Sequence, residues 1–245
     1  MAKKVLTHDL SEPLGNATSA KVDVHAGTGN LTIDRLSTGG QVLATGTLQY
    51  LENTVVPTSS LDASNGQATL TIRSTSTARR GFRFPWEACN GETNWQIHLN
   101  PAVASDLTAR SGGGNVRLDL TGMRIAQVWA DTGGGNVEVV LPDNAANLCV
   151  TARTGGGGVT VEIGQGTRGA NTLEARSGAG NVVVRVPAGL AARIHATSGM
   201  GKVIMDPRFS QIDRETYASP NYDSASDKVE MTVTSGAGNV SINTK

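Results

Sequence analysis

One short block recurs along most of this chain, and it constrains the fold more than any other feature. It reads apolar-x-small-x-[Ser/Thr]-Gly-x-Gly-Asn-apolar-x-apolar. The copies are LTARSGGGNVRL (107–118), VWADTGGGNVEV (128–139), VTARTGGGGVTV (150–161), LEARSGAGNVVV (173–184), IHATSGMGKVIM (194–205) and MTVTSGAGNVSI (231–242). A seventh, VDVHAGTGNLTI (22–33), stands apart near the N-terminus. The hydroxyl residues ahead of the glycines are Ser111, Thr132, Thr154, Ser177, Ser198 and Ser235, at steps of 21, 22, 23, 21 and 37 residues. A period near twenty marks a stack of units, none of which can bury its own apolar face alone.

Within each copy two period-two apolar runs flank the glycines, and period two with β-branched residues argues strands. In the copy at 128–141, Val128, Ala130 and Thr132 face one way, and Val137, Val139 and Leu141 continue that face. Ala109, Ala130, Ala152, Ala175 and Ala196 predict a thin interior near the corner. The corners are assigned to Gly113, Gly114 and Asn115; Gly134, Gly135 and Asn136; Gly178, Gly180 and Asn181; and Gly236, Gly238 and Asn239. Gly tolerates φ > 0 there, and Asn is the next best residue. The expected fold is all-β: a β-solenoid of two-strand rungs of about 21–23 residues. In-register stacking places outward charges in columns: Arg110, Asp131, Arg153 and Arg176; Arg117 and Glu138; Glu162, Arg185 and Asp206. Opposite charges in such columns touch and help register more than stability.

Residues 1–20 read as a lead-in or tail, 21–100 as a less regular N-terminal β region, and 101–245 as the regular solenoid, in one continuous domain. Strand-like runs lie at 41–51, 67–74 and 95–99. The polar, Pro-containing stretch 206–228 is a loop insertion with a short helix at 210–216, placed to cap a face or an end. Without a cap, the rungs at 22–33 and 231–243 are open ends that invite further stacking.

Twenty-one basic residues balance 21 acidic ones, which argues against nucleic acid as a partner. No apolar run is long enough to span a bilayer. The opening MAKKVLTHDLSEPLG lacks the apolar stretch of a secretory leader. Cys89 lies in a loop-like stretch and Cys149 at a strand start where burial is expected; two cysteines make no disulfide framework. The sequence holds no HExxH, GxSxG, Walker-type loop or CxxC, and His8, His25, His98 and His195 have no ligand partner at metal spacing. SGMGKV (198–203) superficially resembles a phosphate loop but leads into a strand, so no helix N-terminus stands behind it. No cofactor, metal or catalytic residue is expected, and the chain is read as non-enzymatic. A carbohydrate-active β-helix enzyme is the lesser alternative; it requires carboxylates such as Asp119 and Glu138 to converge.

One segment departs from the rest: TARRGFRFPWEACNGETNW (77–95) concentrates Phe82, Phe84, Trp86 and Trp95 beside Arg79, Arg80 and Arg83. Aromatics with arginines are typical of contact surfaces; they equally plug the wide end of a core. Trp129 points outward in the rung alignment, which is unusual for Trp. Arg80, Phe82, Arg83, Phe84, Trp86 and Trp129 are therefore the candidate partner contacts. Tyr217 and Tyr222 are expected to pin the long loop.

The stretch 95–142, with its Trp-led strand, repeated corners and the link Leu118-Asp119-Leu120-Thr121-Gly122-Met123, resembles the bacterial toast-rack or adhesin-like β-solenoid family. The closing stretch 221–242 is similar to that family's last rung. The resemblance implies a surface, adhesin-like or envelope-stress module of the bacterial cell envelope, with a cell-surface glycan or protein as partner and no catalytic residues. A cytoplasmic location stays open beside the envelope one. Self-assembly through the solenoid ends, giving a homo-oligomer, is the alternative function.

Overall fold

The computed structural model describes residues 4–37, 40–52, 56–74 and 93–245. The described residues form strands and no helix. The strands make two open sheets, of 10 and 11 strands, and neither closes into a barrel. Each copy of the repeat gives one strand to each sheet, joined at its glycine corner. The resulting tiers are β2 (Ser19–His25) with β3 (Asn30–Arg35), β8 (Ala104–Ser111) with β9 (Val116–Asp119), and β10 (Arg124–Thr132) with β11 (Val137–Val140). They continue as β12 (Cys149–Thr154) with β13 (Val159–Glu162), β14 (Ala170–Ser177) with β15 (Val182–Val186), β16 (Ala191–Ser198) with β17 (Val203–Met205), and β20 (Lys228–Ser235) with β21 (Val240–Thr244).

Tier pairs with tier in parallel, like on like. Leu107 opposes Val128, Val128 opposes Val150, and Val150 opposes Leu173. In the other sheet Val116, Val137, Val159 and Val182 follow one another in the same way. These residues and the expected small ones, Ala109, Ala130, Ala152, Ala175 and Ala196, are buried in one continuous core.

The corner has its own chemistry. The hydroxyls of Ser111, Thr132, Thr154, Ser177, Ser235 and Ser198 each donate to a glycine carbonyl of the adjoining tier, at 2.7–2.8 Å. Most also accept an N–H from their own corner, as Ser177 does from Gly180 at 2.7 Å and Ser235 from Gly238 at 2.8 Å. The Asn position works sideways: Asn115 N–H donates to Asn30 Oδ1 at 2.9 Å, Asn136 N–H to Asn115 Oδ1 at 2.8 Å, and Gly158 N–H to Asn136 Oδ1 at 2.7 Å. This corrects the expected reason for glycine. Among the corner glycines only Gly27 has a positive φ, and the corner asparagines have none. What excludes a side chain is the neighbouring tier. A Cβ on Gly114, Gly135, Gly157 or Gly180 would lie closer than 3.0 Å to backbone atoms of the tier beside it. The middle position is open, with nothing within 4 Å of a Cβ on Gly113, and there the sequence carries Thr28, Ala179, Ala237 or Met200.

The tiers do not stack in chain order. β20 lies between β14 and β16, and β21 between β15 and β17. The last tier in sequence is thus inserted next to last in space, and neither it nor the β2–β3 tier is an open end. Lys202 contributes to this order. It occupies the Asn position of the 194–205 copy and its N–H donates to Asn239 Oδ1 at 2.9 Å. An ammonium has donors only, so this side chain offers no acceptor to a further tier, although the interior tier with Gly158 also lacks one. The insertion covers the β16 side of this tier, where β19 (Thr216–Ala218) pairs antiparallel with β16, and β18 (Ser210–Gln211) with β19, in place of the expected helix; β17 is the edge of the ten-stranded sheet. Asp206 fastens the junction, accepting from Arg208 N–H at 3.0 Å and Thr244 N–H at 3.1 Å. These bonds hold its carboxyl below the usual value.

At the other end β6 (Gln67–Arg73) pairs with β2 and β7 (Asn94–Leu99) with β3, making a further tier. Antiparallel strands follow: β5 (Thr58–Ser64) on β6, β4 (Val42–Leu51) on β7, and β1 (Val5–Pro13) on β4. Part of the stretch read as a lead-in is therefore a sheet strand.

The charge columns are only partly as expected. Arg117 meets Glu138 at 3.1 Å. Arg185 approaches Glu162 at 3.8 Å, but its next neighbour is Asn243 rather than Asp206, because β21 intervenes. Among the described residues Asp131 forms no ion pair with Arg110 or Arg153. The like-charged step from Arg153 to Arg176 is relieved by Glu174, which lies 2.6 Å from one and 2.5 Å from the other.

Gly135→Ala should lower unfolding free energy by at least about 2 kcal/mol in urea titrations, because backbone must move, whereas Gly134→Ala should stay within about 0.5 kcal/mol. A carboxylate with a depressed folded pKa stabilises above its unfolded value and loses that effect as pH falls through the folded value. Asp206→Asn should therefore lower the melting temperature at neutral pH, and the gap from the parent should narrow as pH drops below 3.8.

Candidate functional site

The outward side chains of the eleven-stranded sheet form rows, because parallel register places equivalent residues side by side. One row runs Asp23, Thr108, Trp129, Thr151, Glu174. A second, nearer the corner, runs His25, Arg110, Asp131, Arg153, Arg176, and a third, on the other side, runs Lys21, Asp106, Gln127, Cys149, Thr172. At the centre Trp129 is half-buried, as its outward position in the repeat implied. Arg110 reaches it from one neighbouring strand, 5.8 Å from the ring centroid, and Arg153 from the other, at 4.9 Å. Guanidinium groups over an indole are attracted by the ring's negative face. This contact replaces the expected pairing of both arginines with Asp131.

Beside Trp129 lies a recess of about 420 Å³, floored by Leu107 and Val128 and walled by Lys21, Asp106, Thr108, Arg110, Gln127, Cys149 and Thr151. Just before it, β10 carries one extra residue, Ala126, between the register positions of Ile125 and Gln127. Such a bulge bends the strand and re-aims the side chains that follow. Trp129 Nε1–H is shielded from solvent and has no hydrogen-bond partner among the described residues. Arg153 shares Glu174 with Arg176, while Lys21 and Arg110 form no ion pair among the described residues. Among the described residues no three His, Cys, Asp or Glu side chains gather in a metal-binding group. Asp119 does not meet Glu138; its carboxylate caps Thr121 N–H at 3.1 Å.

Arg80, Phe82, Arg83, Phe84 and Trp86 fall in the connection from β6 to β7 and lie outside the described residues, as does Cys89. Trp95, from the same segment, is core: it is 2% exposed, and its indole donates to Gln49 O at 3.0 Å. Tyr222 packs on Ala191 and Ala218, with Arg193 4.3 Å from its ring centroid, and Tyr217 packs against the main core, so both hold the insertion down. Cys149 is exposed, correcting the expected burial; Leu148 and Val150 on either side point inward instead. The repeat alignment located Trp129 but not its company. Lys21 and Asp106 join it only through register, and the arginines read as charge partners rather than ring partners.

The sequence matches the N-terminal domain of toast_rack, DUF2154, over residues 2–162. The chain belongs to this family. Among solved structures, a "putative cell adhesion protein" from Clostridium sporogenes ATCC 15579 is similar, with a TM-score of 0.71 at 19% identity over 99% of this chain and 100% of that one. That likeness shows that the two share a fold. A "putative adhesin" from Bacteroides fragilis NCTC 9343 aligns over 98% of this toast-rack chain and 97% of its own, with a TM-score of 0.43 and 10% identity. No curated protein matches the chain.

In a Cys89→Ser background, Cys149 should react with an aromatic disulfide reagent in the native protein at nearly the rate of a free thiol. Reaction only on unfolding would put that wall of the recess inside the protein.

Proposed function

We propose that this toast-rack chain is a non-enzymatic, adhesin-like binding module of the bacterial cell envelope. In this reading it is a β-solenoid that acts as a rigid scaffold, and its outward face carries the contact residues. The observation that carries the proposal is Trp129, an outward indole flanked by two guanidinium groups beside an open, polar-walled recess. Large aromatics and arginines are the residues that most often dominate recognition surfaces. The similar fold of the "putative cell adhesion protein" is consistent with it. The aromatic and basic segment with Arg80, Phe82, Arg83, Phe84 and Trp86 is a second contact region in the same proposal, joining β6 to β7 where other tiers have a glycine corner. The strands laid on β16 weigh against self-assembly by continued stacking on the eleven-stranded sheet.

The test is binding to isolated cell-wall fractions and glycan arrays by the parent, Trp129→Ala, and a triple variant with Phe82, Phe84 and Trp86 changed to Ala. A drop of at least about tenfold in one variant, equivalent to about 1.4 kcal/mol, with a melting temperature near the parent's, is expected. Absence of binding by the parent would sink the reading.

A further inference from the structure

We propose that the recess beside Trp129 takes an acidic glycan, a sugar chain carrying carboxylates, laid across β8, β10 and β12. This rests on the binding-module reading above and names its ligand. Four observations lead there. Among the described residues Lys21 and Arg110, on the recess wall, form no ion pair, and with Asp106 as the one carboxylate of that wall the lining carries a net positive charge for a negative group to meet. Thr108, Gln127 and Thr151 both donate and accept hydrogen bonds, and Asp106 accepts, which suits hydroxyl groups that themselves do both. Trp129 Nε1–H is a shielded donor with no acceptor among the described residues, and a ligand oxygen would supply one once the side chains that cover it move aside. The rows repeat once per strand, about 4.8 Å apart, close to the length of one sugar in an extended chain, so successive sugars would meet Thr108, Trp129 and Thr151 in turn.

The same observations disfavour other polymers. β8, β10 and β12 are paired on both sides, so no free strand edge exists here for a peptide to extend. The walls are polar, with Trp129 as their one aromatic, where peptide grooves are apolar. Asp106, Asp131 and Glu174 interrupt the basic groups, whereas nucleic acid requires continuous positive charge.

The experiment is calorimetric titration with galacturonate oligomers, with neutral glucose oligomers of equal length, and with polyglutamate. The proteins are the parent chain, the double variant Lys21→Gln/Arg110→Gln, and Trp129→Phe, which keeps a ring between the arginines but removes the N–H. The parent should prefer the galacturonate oligomers by at least about tenfold, more weakly as salt rises. The double variant should lose that preference, and Trp129→Phe should lose affinity several-fold with its melting temperature retained. Equal binding of neutral oligomers, or tighter binding of polyglutamate, would overturn the ligand class while leaving the binding-module reading intact. Galacturonate binding unchanged in both variants but lost in the Phe82, Phe84 and Trp86 triple variant would move the site and likewise spare that reading. Binding of wall fractions with no binding of galacturonate overturns this inference alone; no binding of either overturns both.

Discussion

Everything in this structure depends on how closely one backbone corner can lie on the next. At six of the seven corners a hydroxyl donates to a carbonyl of the adjoining tier, and most of these hydroxyls also take an N–H from their own. The glycines beside it leave no room for a Cβ. A buried polar backbone group that loses its partner costs on the order of 1–3 kcal/mol, so the corner tolerates change only where it faces outward. That is why the repeat keeps its first and third glycines and varies the middle one. The strands inherit their register from these corners, and the register then sets which outward side chains meet.

The same ladder explains where the stack stops. An Asn at the corner offers an acceptor to the next tier, and a Lys does not. The 194–205 copy carries Lys202 and sits at the end, while the 231–242 copy carries Asn239 and is sandwiched. Gly158 shows that an interior tier can also lack the side-chain acceptor, so the covering strands β18 and β19 share in fixing the order. Since an uncovered row of strand donors and acceptors invites another chain, a tier that cannot extend the ladder suits the end.

The candidate site was half legible. Trp129 stood out because the repeat assigns every position a direction, and a large aromatic facing outward breaks the pattern. Its surroundings did not. Arg110, Asp131 and Arg153 read as alternating charge, but a guanidinium on either neighbouring strand lies over the indole instead. Lys21 reaches the recess from a tier more than eighty residues earlier, brought there by the parallel pairing of β2 with β8. Cys149 looked buried beside Leu148 and Val150, yet strand alternation turns one of three successive residues outward, and it is the thiol.

By itself the sequence determined the repeat, the period-two strands, the small buried alanines and the glycine corners. All of these follow from short-range spacing and from what a side chain must not occupy. It also placed the chain in a fold family through the same short motifs. Only the tertiary structure decided the order of the tiers, the true reason for the glycines and the grouping around Trp129. Tier order depends on a contact between segments separated by the 206–227 insertion, which spacing along the chain cannot express. The glycines answer to a neighbouring backbone rather than to their own φ. The site is a product of register, which sums small corner interactions over several tiers before any two of its residues touch.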